Sequence, residues 1–167
     1  MKREYFQIYI ESSQAVQGAD TPNLATYDLS TIIPNISTDR CYIRVSYFNV
    51  YIASSVWKTN SVSSLLIKTP SAFTRNSYQT LSPDGKGALV QNSSIIGVVP
   101  AGNDLSVSQN SIANTQYLEI GNIFNGMLTI EITDEIGGSL SSIMNASTKG
   151  YEMMLDVYFE QPCGCSD

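Results

Sequence analysis

Acidic side chains are the first candidates for chemistry, because the 167 residues include no histidine. Histidine is the usual general base and the commonest protein metal ligand, so Ser-His-Asp and Cys-His catalysis are excluded. Ser-Lys and paired-carboxylate mechanisms remain open. The most closely spaced acids are Glu131, Asp134 and Glu135. Glu131 and Asp134 point to opposite faces of a strand, which predicts solvated acids at a hairpin end and no catalytic pair.

Metal and thiol chemistry have weaker candidates. Asp20 and Asp104 lie in polar loops and could bind calcium together with backbone carbonyls, but no Asp-x-Asp-x-Asp-Gly loop surrounds them. Cys163 and Cys165 could be free, bridged or metal-bound, and the absence of other ligands nearby in the sequence favours a reduced tail. Cys41 follows an apolar rhythm and is predicted to be a small core residue. We therefore expect no catalytic residue, no metal and no cofactor, hence a protein that is not an enzyme.

Aromatic side chains are the remaining candidates for a site. Tyr and Trp that face outward from a sheet anchor protein interfaces or stack on sugars. Half-buried rings that pack within the sheets are the plain alternative. The residues predicted to lie partly outward are Tyr5, Tyr9, Tyr42, Tyr51, Trp57, Tyr78, Tyr117 and Tyr158. We select five of these as interface candidates, namely Trp57, Tyr5, Tyr9, Tyr51 and Tyr78. Rings spread around a rim would indicate contacts with neighbouring subunits, and rings gathered on one concave face would indicate sugar.

The charge balance narrows the class of partner. The net charge is −6, and the nine basic residues are scattered along the chain, so direct nucleic-acid binding is not expected. Only 14% of residues are charged, which suits wide contacts with other proteins and equally suits a secreted, glycan-binding β-protein.

No apolar run reaches the roughly 18 residues of a membrane span. The start of the chain lacks the apolar core of a signal peptide, which favours synthesis in the cytosol.

Alternating apolar and polar residues predict strands that would carry these side chains. The first strand is Glu4 to Ser12, and the last is Tyr151 to Glu160. We expect these two to pair side by side in the centre of a sheet. The longest segment, Arg40 to Ala53, has Cys41, Ile43, Val45 and Tyr47 on one face and Phe48, Val50 and Ile52 on the other. That switch of face predicts a β-bulge or a strand bend.

Further segments complete the prediction of about eight strands. They are Leu24 to Leu29, Ser63 to Thr69, Ala72 to Leu81, Ala88 to Val99, Gln116 to Gly121 and Met127 to Asp134. Asn125-Gly126 predicts a hairpin turn between the last two, and Ser82 to Gly85 predicts another turn. Ile32, Ile33 and Ile36 suggest a buried crossing turn, Ala101 to Asn114 an exposed loop, and Ser139 to Thr148 one helical turn. These elements predict an all-β fold, a single jelly-roll β-sandwich of antiparallel strands over residues 1–162, with a short tail at 163–167.

Three stretches carry a resemblance to a known family. They are the opening strand EYFQIYIES, the strand and acidic turn NGMLTIEITDEIGG, and the closing strand YEMMLDVYFE. In their order, the chain resembles the single jelly-roll capsid proteins of large icosahedral double-stranded DNA viruses and virophages. Those proteins serve as pentons at the five-fold vertex or as minor capsid components. The family has no catalytic residues to carry over.

The resemblance implies a structural function. We expect a capsid subunit that contacts major capsid proteins and other capsid proteins in the virion, is assembled in the host cytoplasm, and forms a pentamer if it occupies the vertex. The alternative is a carbohydrate- or receptor-binding jelly roll, such as a lectin-like or fibre-tip domain.

Overall fold

The fold is almost entirely β-structure in the computed structural model. The structure describes residues 2–19, 21–32, 40–50, 63–70, 78–81, 89–92, 95–100, 108–109, 117–120, 126–140 and 150–161. The strands are β1 (Lys2–Glu11), β2 (Leu24–Asp28), β3 (Arg40–Val50), β4 (Ser64–Lys68), β5 (Tyr78–Leu81), β6 (Leu89–Asn92), β7 (Ile95–Pro100), β8 (Ser108–Gln109), β9 (Leu118–Ile120), β10 (Met127–Asp134) and β11 (Tyr151–Gln161). A short 3-10 turn at Ser12–Gln14 follows β1.

Two antiparallel sheets form a jelly roll, as the sequence predicts. The first sheet has the order β1-β11-β3-β8, with β9 beside β8 on the same edge of β3, and the second has the order β2-β10-β4-β7. Successive strands thus alternate between the sheets at the start and end of the chain, which is the double Greek-key path of a jelly roll. β5 and β6 pair with each other as a separate two-stranded ladder between β4 and β7.

The core lies between the inner faces of the two sheets. In β10, Leu128, Ile130 and Ile132 are fully buried and alternate with half-buried Thr129 and Glu131. β11 has the same pattern, since its apolar residues from Tyr151 to Phe159 are buried at alternate positions. Side chains from both sheets join one apolar cluster, because each strand exposes one face to the opposing sheet.

The switch of face in β3 is a bulge, which confirms the prediction, but one residue was misplaced. Met154 pairs with Tyr47 and Leu155 pairs with Val45, so Ser46 has no partner of its own in β11. The extra residue turns Tyr47 away from the face of Val45 and returns Phe48 to the core, where it is fully buried. Tyr47 is half-buried, and its hydroxyl bonds Glu152 on the outer face.

Several predicted connections are wrong. The segments flanking Asn125-Gly126 form no hairpin, because β9 pairs with β3 in the first sheet while β10 pairs with β2 and β4 in the second. Gly126 does adopt a positive φ of 73°, but its carbonyl accepts from Leu29 and thereby extends the β2–β10 ladder.

Other boundaries also differ from the prediction. The single strand expected over Ala88 to Val99 is two strands with different partners, and the expected loop after it contains β8. Ile32 is 49% exposed and is not part of a buried turn. The predictions on Ile33, Ile36, the 82–85 turn, the possible helical turn beyond Leu140 and the cysteine tail lie outside the described residues.

The first and last strands pair over their whole length, from Lys2–Gln161 to Glu11–Glu152. Of these two, only β11 is central, since it lies between β1 and β3, whereas β1 is the edge of its sheet among the strands that the structure describes. Within the described ranges, no helix is long and apolar enough to cross a bilayer.

Candidate interaction surface

The outer face of the first sheet gathers most of the described tyrosines, and we call it the tyrosine face. It consists of the side chains that alternate with the core residues on β1, β11, β3 and β9, together with Tyr117 directly before β9. Its described members are Tyr5, Gln7, Tyr9, Glu11, Tyr42, Arg44, Tyr47, Asn49, Tyr117, Glu119, Glu152, Met154, Asp156, Tyr158 and Glu160. They come from four segments far apart in the chain, so only strand pairing brings them together.

Four aromatic rings form one contiguous group on this face. The register places Tyr5, Tyr158 and Tyr42 side by side on adjacent strands. The ring centroids of Tyr158 and Tyr42 lie 4.5 Å apart with the planes nearly parallel, and those of Tyr158 and Tyr5 lie 5.3 Å apart. Tyr117 meets Tyr158 edge-on at 4.8 Å. The faces of Tyr158 are therefore covered by neighbouring rings, in geometries that aromatic pairs favour.

An ion pair with hydrogen-bonding neighbours lies beside the aromatic group. Arg44 donates to the Asp156 carboxylate through both Nε, at 3.1 Å, and an Nη, at 2.5 Å. Gln7 donates to Asp156 at 3.0 Å, and the Ser46 hydroxyl donates at 3.1 Å. Burial alone would raise the pKa of Asp156, but these hydrogen bonds outweigh it and leave the pKa below its usual value. The Arg44 guanidinium also lies 4.6 Å from the ring centre of Tyr117.

Tyrosine hydroxyls meet carboxylates at the other end of the face. The Tyr9 hydroxyl lies 2.5 Å from Glu152 and 3.0 Å from Glu11. Glu152 also accepts from the Tyr47 hydroxyl at 2.8 Å and from the Asn49 amide at 3.1 Å. The hydrogen bond to Glu152, followed by desolvation, raises the pKa of Tyr9. Acidic groups on this face are thus engaged in hydrogen bonds with their neighbours.

The predicted interface aromatics have different outcomes. Tyr5 and Tyr9 lie on the tyrosine face, exposed by 62% and 44%. Tyr51 and Trp57 lie outside the described residues, and for Tyr78 only the backbone, in β5, is described.

The ion pair of Arg44 and Asp156 was missed by the sequence prediction. Each residue occupies a polar position of an alternating strand, so the sequence could predict that each side chain faces outward. Nothing in the sequence states that the two positions are opposite each other, because the register between β3 and β11 is a tertiary property.

Two of the three acids considered for catalysis, Asp134 and Glu135, hold a turn together. One carboxylate oxygen of Asp134 accepts from the backbone N–H groups of Ile136 and Gly138, at 3.1 and 2.5 Å. The Glu135 carboxylate accepts from the N–H groups of Ser63 and Ser64. Desolvation opposes ionisation of Glu135, but these backbone bonds lower its pKa. Glu135 therefore connects the turn after β10 to the start of β4, and Asp134 closes that turn, so neither is merely solvated as predicted.

The thiol and metal candidates add no described site. Cys41 is buried with 1% exposure, as predicted, and burial raises the pKa of its thiol to about 12. Asp20, Asp104, Cys163 and Cys165 lie outside the described residues. Over the ranges given above, no three acidic, cysteine or histidine residues lie close enough to hold a metal.

Comparisons with known proteins supply no family. No protein-family model matches the chain, and a search of curated proteins finds no significant match.

The tyrosine face offers ring edges, phenol hydroxyls and a fixed guanidinium, which are groups that make contacts with another molecule.

Proposed function

We propose that the chain is a non-enzymatic capsid subunit, a penton or a minor capsid protein, that contacts major capsid proteins in a virion assembled in the host cytoplasm. The observation that carries the proposal is a single jelly roll whose outer sheet face carries four contiguous tyrosines beside a fixed Arg44–Asp156 pair. Fold alone does not imply function, so the proposal depends on the chemistry of this face and on the resemblance described above.

The chemistry of the tyrosine face suits contact with protein. Tyr and Arg are enriched among the residues that dominate binding energy at protein interfaces. Arg44 is already paired with Asp156, so covering the pair would leave no lone charge without a partner. Near Tyr9, Glu11 and Glu152 already accept hydrogen bonds from neighbouring side chains. Covering them therefore costs less free energy than covering carboxylates bonded only to water. Such a surface can be covered by a neighbouring subunit over a wide area.

A position at the five-fold vertex follows from the same proposal. Five copies close a ring when each uses one surface to contact a different surface of the next. A low content of charged residues, 14%, lets a subunit meet neighbours on several sides without desolvating many charges.

A carbohydrate- or receptor-binding module is the second candidate. The observation in its favour is that Tyr5, Tyr42, Tyr117 and Tyr158 gather on one sheet face. Sugars stack on the flat face of a ring, and here neighbouring rings occupy the faces of Tyr158. Tyr5, which is 62% exposed, is the described ring of this group most open to a sugar. The arrangement therefore favours a protein partner over a sugar.

Light scattering coupled to size exclusion, over a range of protein concentrations, tests the proposal. We expect a species with the mass of five subunits, and negative-stain images of that fraction should show closed rings. A chain that never forms the ring, and that binds oligosaccharides on a glycan array, would instead be assigned to the carbohydrate-binding class. A chain that forms no ring and binds no glycan should bind a major capsid protein in the minor capsid role, and failure to do so would overturn the proposal.

A matched pair of variants locates the contact. Tyr5→Ser removes an exposed ring of the tyrosine face, and we expect it to reduce assembly or glycan binding, whichever the wild type shows. Leu24→Ser removes an exposed apolar side chain of similar accessibility, 47%, from β2 in the other sheet. This control should assemble like the wild type.

A further inference from the structure

Strand β1 is an unusual edge for a natural sheet. It has ten residues, all paired in unbroken register with β11, and its other side pairs with no described residue. It contains no proline and no bulge, and the stretch from Tyr5 to Ile10 is uncharged. Edge strands of this kind are templates for another strand, and natural proteins usually protect them.

The remaining edges of the two sheets are protected. The opposite edge of the first sheet consists of β8 and β9, which have two and three residues. In the second sheet, Thr26 of β2 accepts a hydrogen bond from Val16 and donates one to Gln17, at 2.8 and 2.9 Å, so a loop covers that edge. β7 carries a register shift against β4 and ends at Pro100. Among the described edges, β1 is the long and regular one.

The residues of β1 point to a second copy of the same strand as its occupant. Two identical antiparallel strands are related by a two-fold axis perpendicular to the sheet, so each residue must lie opposite one from its own face. The odd-numbered positions of β1, which belong to the same side of the sheet as the tyrosine face, are Arg3, Tyr5, Gln7, Tyr9 and Glu11. An axis through Gln7 puts Arg3 opposite Glu11 and Tyr5 opposite Tyr9, twice each. Opposite charges and aromatic pairs at these positions stabilise paired strands.

Neighbouring registers lack this complementarity. An axis through Phe6 puts Arg3 opposite Tyr9 and Tyr5 opposite Gln7, so neither the charge pair nor the aromatic pair forms. An axis through Ile8 puts Glu11 opposite Tyr5 and leaves Arg3 beyond the paired stretch. Charge complementarity therefore selects the axis through Gln7.

We propose that two copies of this chain pair through β1, antiparallel and with a two-fold axis at Gln7, to join their first sheets into one continuous sheet. The pairing does not depend on a capsid role. Ring closure brings two different surfaces together, whereas edge pairing brings one strand against its own copy, so either one can exist without the other.

Cysteine cross-linking of the full chain tests the pairing and its register. Cys163 and Cys165 are first changed to Ser, and buried Cys41 is kept. Gln7→Cys puts two thiols on directly opposed residues, whose Cα atoms are about 5 Å apart in such a pair, within the reach of a disulfide. We expect mild oxidation to convert most of this variant to a covalent dimer.

Tyr9→Cys is the matched control. The two substituted residues would lie four positions apart along the strands, about 13 Å, so this variant should not link to itself. Mixing it with Tyr5→Cys should restore cross-linking, because Tyr5 lies opposite Tyr9. Equal cross-linking of Gln7→Cys and Tyr9→Cys, or no link in the mixture, would overturn the proposal.

Sedimentation equilibrium supplies a second readout without cysteines. At concentrations below those at which a ring forms, the wild type should show a reversible monomer–dimer equilibrium. Arg3→Glu places like charges opposite each other twice and should weaken the dimer roughly tenfold, while adding Glu11→Arg should restore it. A wild-type chain that stays monomeric at every concentration would show that the edge does not pair with its own copy. A dimer without any ring would uphold the pairing and count only against the vertex role.

Discussion

Asp156 illustrates how a single side chain on the tyrosine face depends on its neighbours. Its side chain is 12% exposed and that of Arg44 is 32% exposed, so the pair is partly removed from water. Three residues from two other strands donate to the carboxylate. These donors stabilise the ionised form of Asp156. Removing one of them should therefore change the free energy of unfolding by a measurable amount.

Loss of the guanidinium should destabilise the fold. Arg44→Ala leaves Asp156 without its main partner, and we expect the free energy of unfolding to fall by about 1–3 kcal/mol. Urea denaturation measures the change. Replacing both residues with Leu should recover most of it, because no lone charge then remains. A double variant as unstable as Arg44→Ala would contradict this account.

Acid should weaken the fold through the same carboxyl group. The pKa of Asp156 is lowered in the folded state, so the unfolded chain binds its proton more readily. The stabilisation is present above the ordinary carboxyl pKa, about 4, and is lost as the pH falls through the lower folded value. Unfolding free energies measured from neutral to acid pH should decline less steeply in Asp156→Asn than in the wild type.

Alkali should weaken the fold through a buried tyrosine pair. The Tyr27 hydroxyl donates to that of Tyr151 at 2.9 Å between the sheets. Burial raises the pKa of Tyr27 to about 12, against the opposing effect of the bond to Tyr151, and burial also raises the pKa of Tyr151. The stabilisation is present below the ordinary tyrosine pKa, about 10, and is lost as the pH rises through the folded value. Phenolate absorbance should show these two rings ionising only as the chain unfolds, and Tyr27→Phe should show a shallower decline in stability.

At the scale of elements, one inserted residue decides which side chains of β3 face the core. Ser46 shifts the pairing with β11 by one position, and the buried set changes from Val45 to Phe48 and Val50. Its hydroxyl also donates to Asp156 and to the Met154 carbonyl. The bulge therefore both positions the core residues and supports the ion pair.

Deleting Ser46 should leave the faces of β3 unchanged, because Ser46 has no partner of its own in β11. Deletion places Tyr47 directly after Val45, opposite Met154 and Leu155 as before, so the ladder becomes regular and Phe48 and Val50 stay in the core. We therefore expect a cooperatively folded protein. Ser46→Ala keeps the register and loses hydrogen bonds alone, at about 1 kcal/mol. Circular dichroism and urea denaturation measure both variants, and a deletion variant that loses cooperative folding would contradict this account of the bulge.

For the whole molecule, the jelly-roll path makes distant parts of the chain depend on each other. β11 pairs with both β1 and β3, and the apolar cluster contains side chains from both sheets. Neither sheet can bury its inner face alone. We therefore expect the two sheets to unfold together.

Thermal unfolding tests this cooperativity. Transitions followed by far-ultraviolet circular dichroism and by tyrosine fluorescence should coincide, because a single core unfolds in one step. Leu155→Ala, which opens a cavity under β11, should lower both transitions together and cost about 2–5 kcal/mol. Met154→Ala changes the adjacent, half-buried position on the outer face and is the matched control, with a smaller effect. Separate transitions for the two probes would contradict a shared core.

Local patterning by itself determined the fold class and the orientation of the long strands. The alternation in β1, β10 and β11 predicts the buried residues Ile8, Ile130 and Leu155 correctly, because side chains of a strand alternate between core and solvent wherever they pair. The change of face in β3 predicts the bulge for the same reason. Cys41 is also a core residue, as its neighbours indicate.

Only the tertiary structure decided which strands are neighbours. Alternation reports the face of each residue and carries no information about its partner, so the sequence predicted a hairpin before β10 where the chain crosses between sheets. For the same reason it placed β1 in the centre and could not bring Arg44 to Asp156 or Tyr42 to Tyr158. The tyrosine face and the edge at β1 both arise from long-range pairing, which depends on the packing of the whole chain.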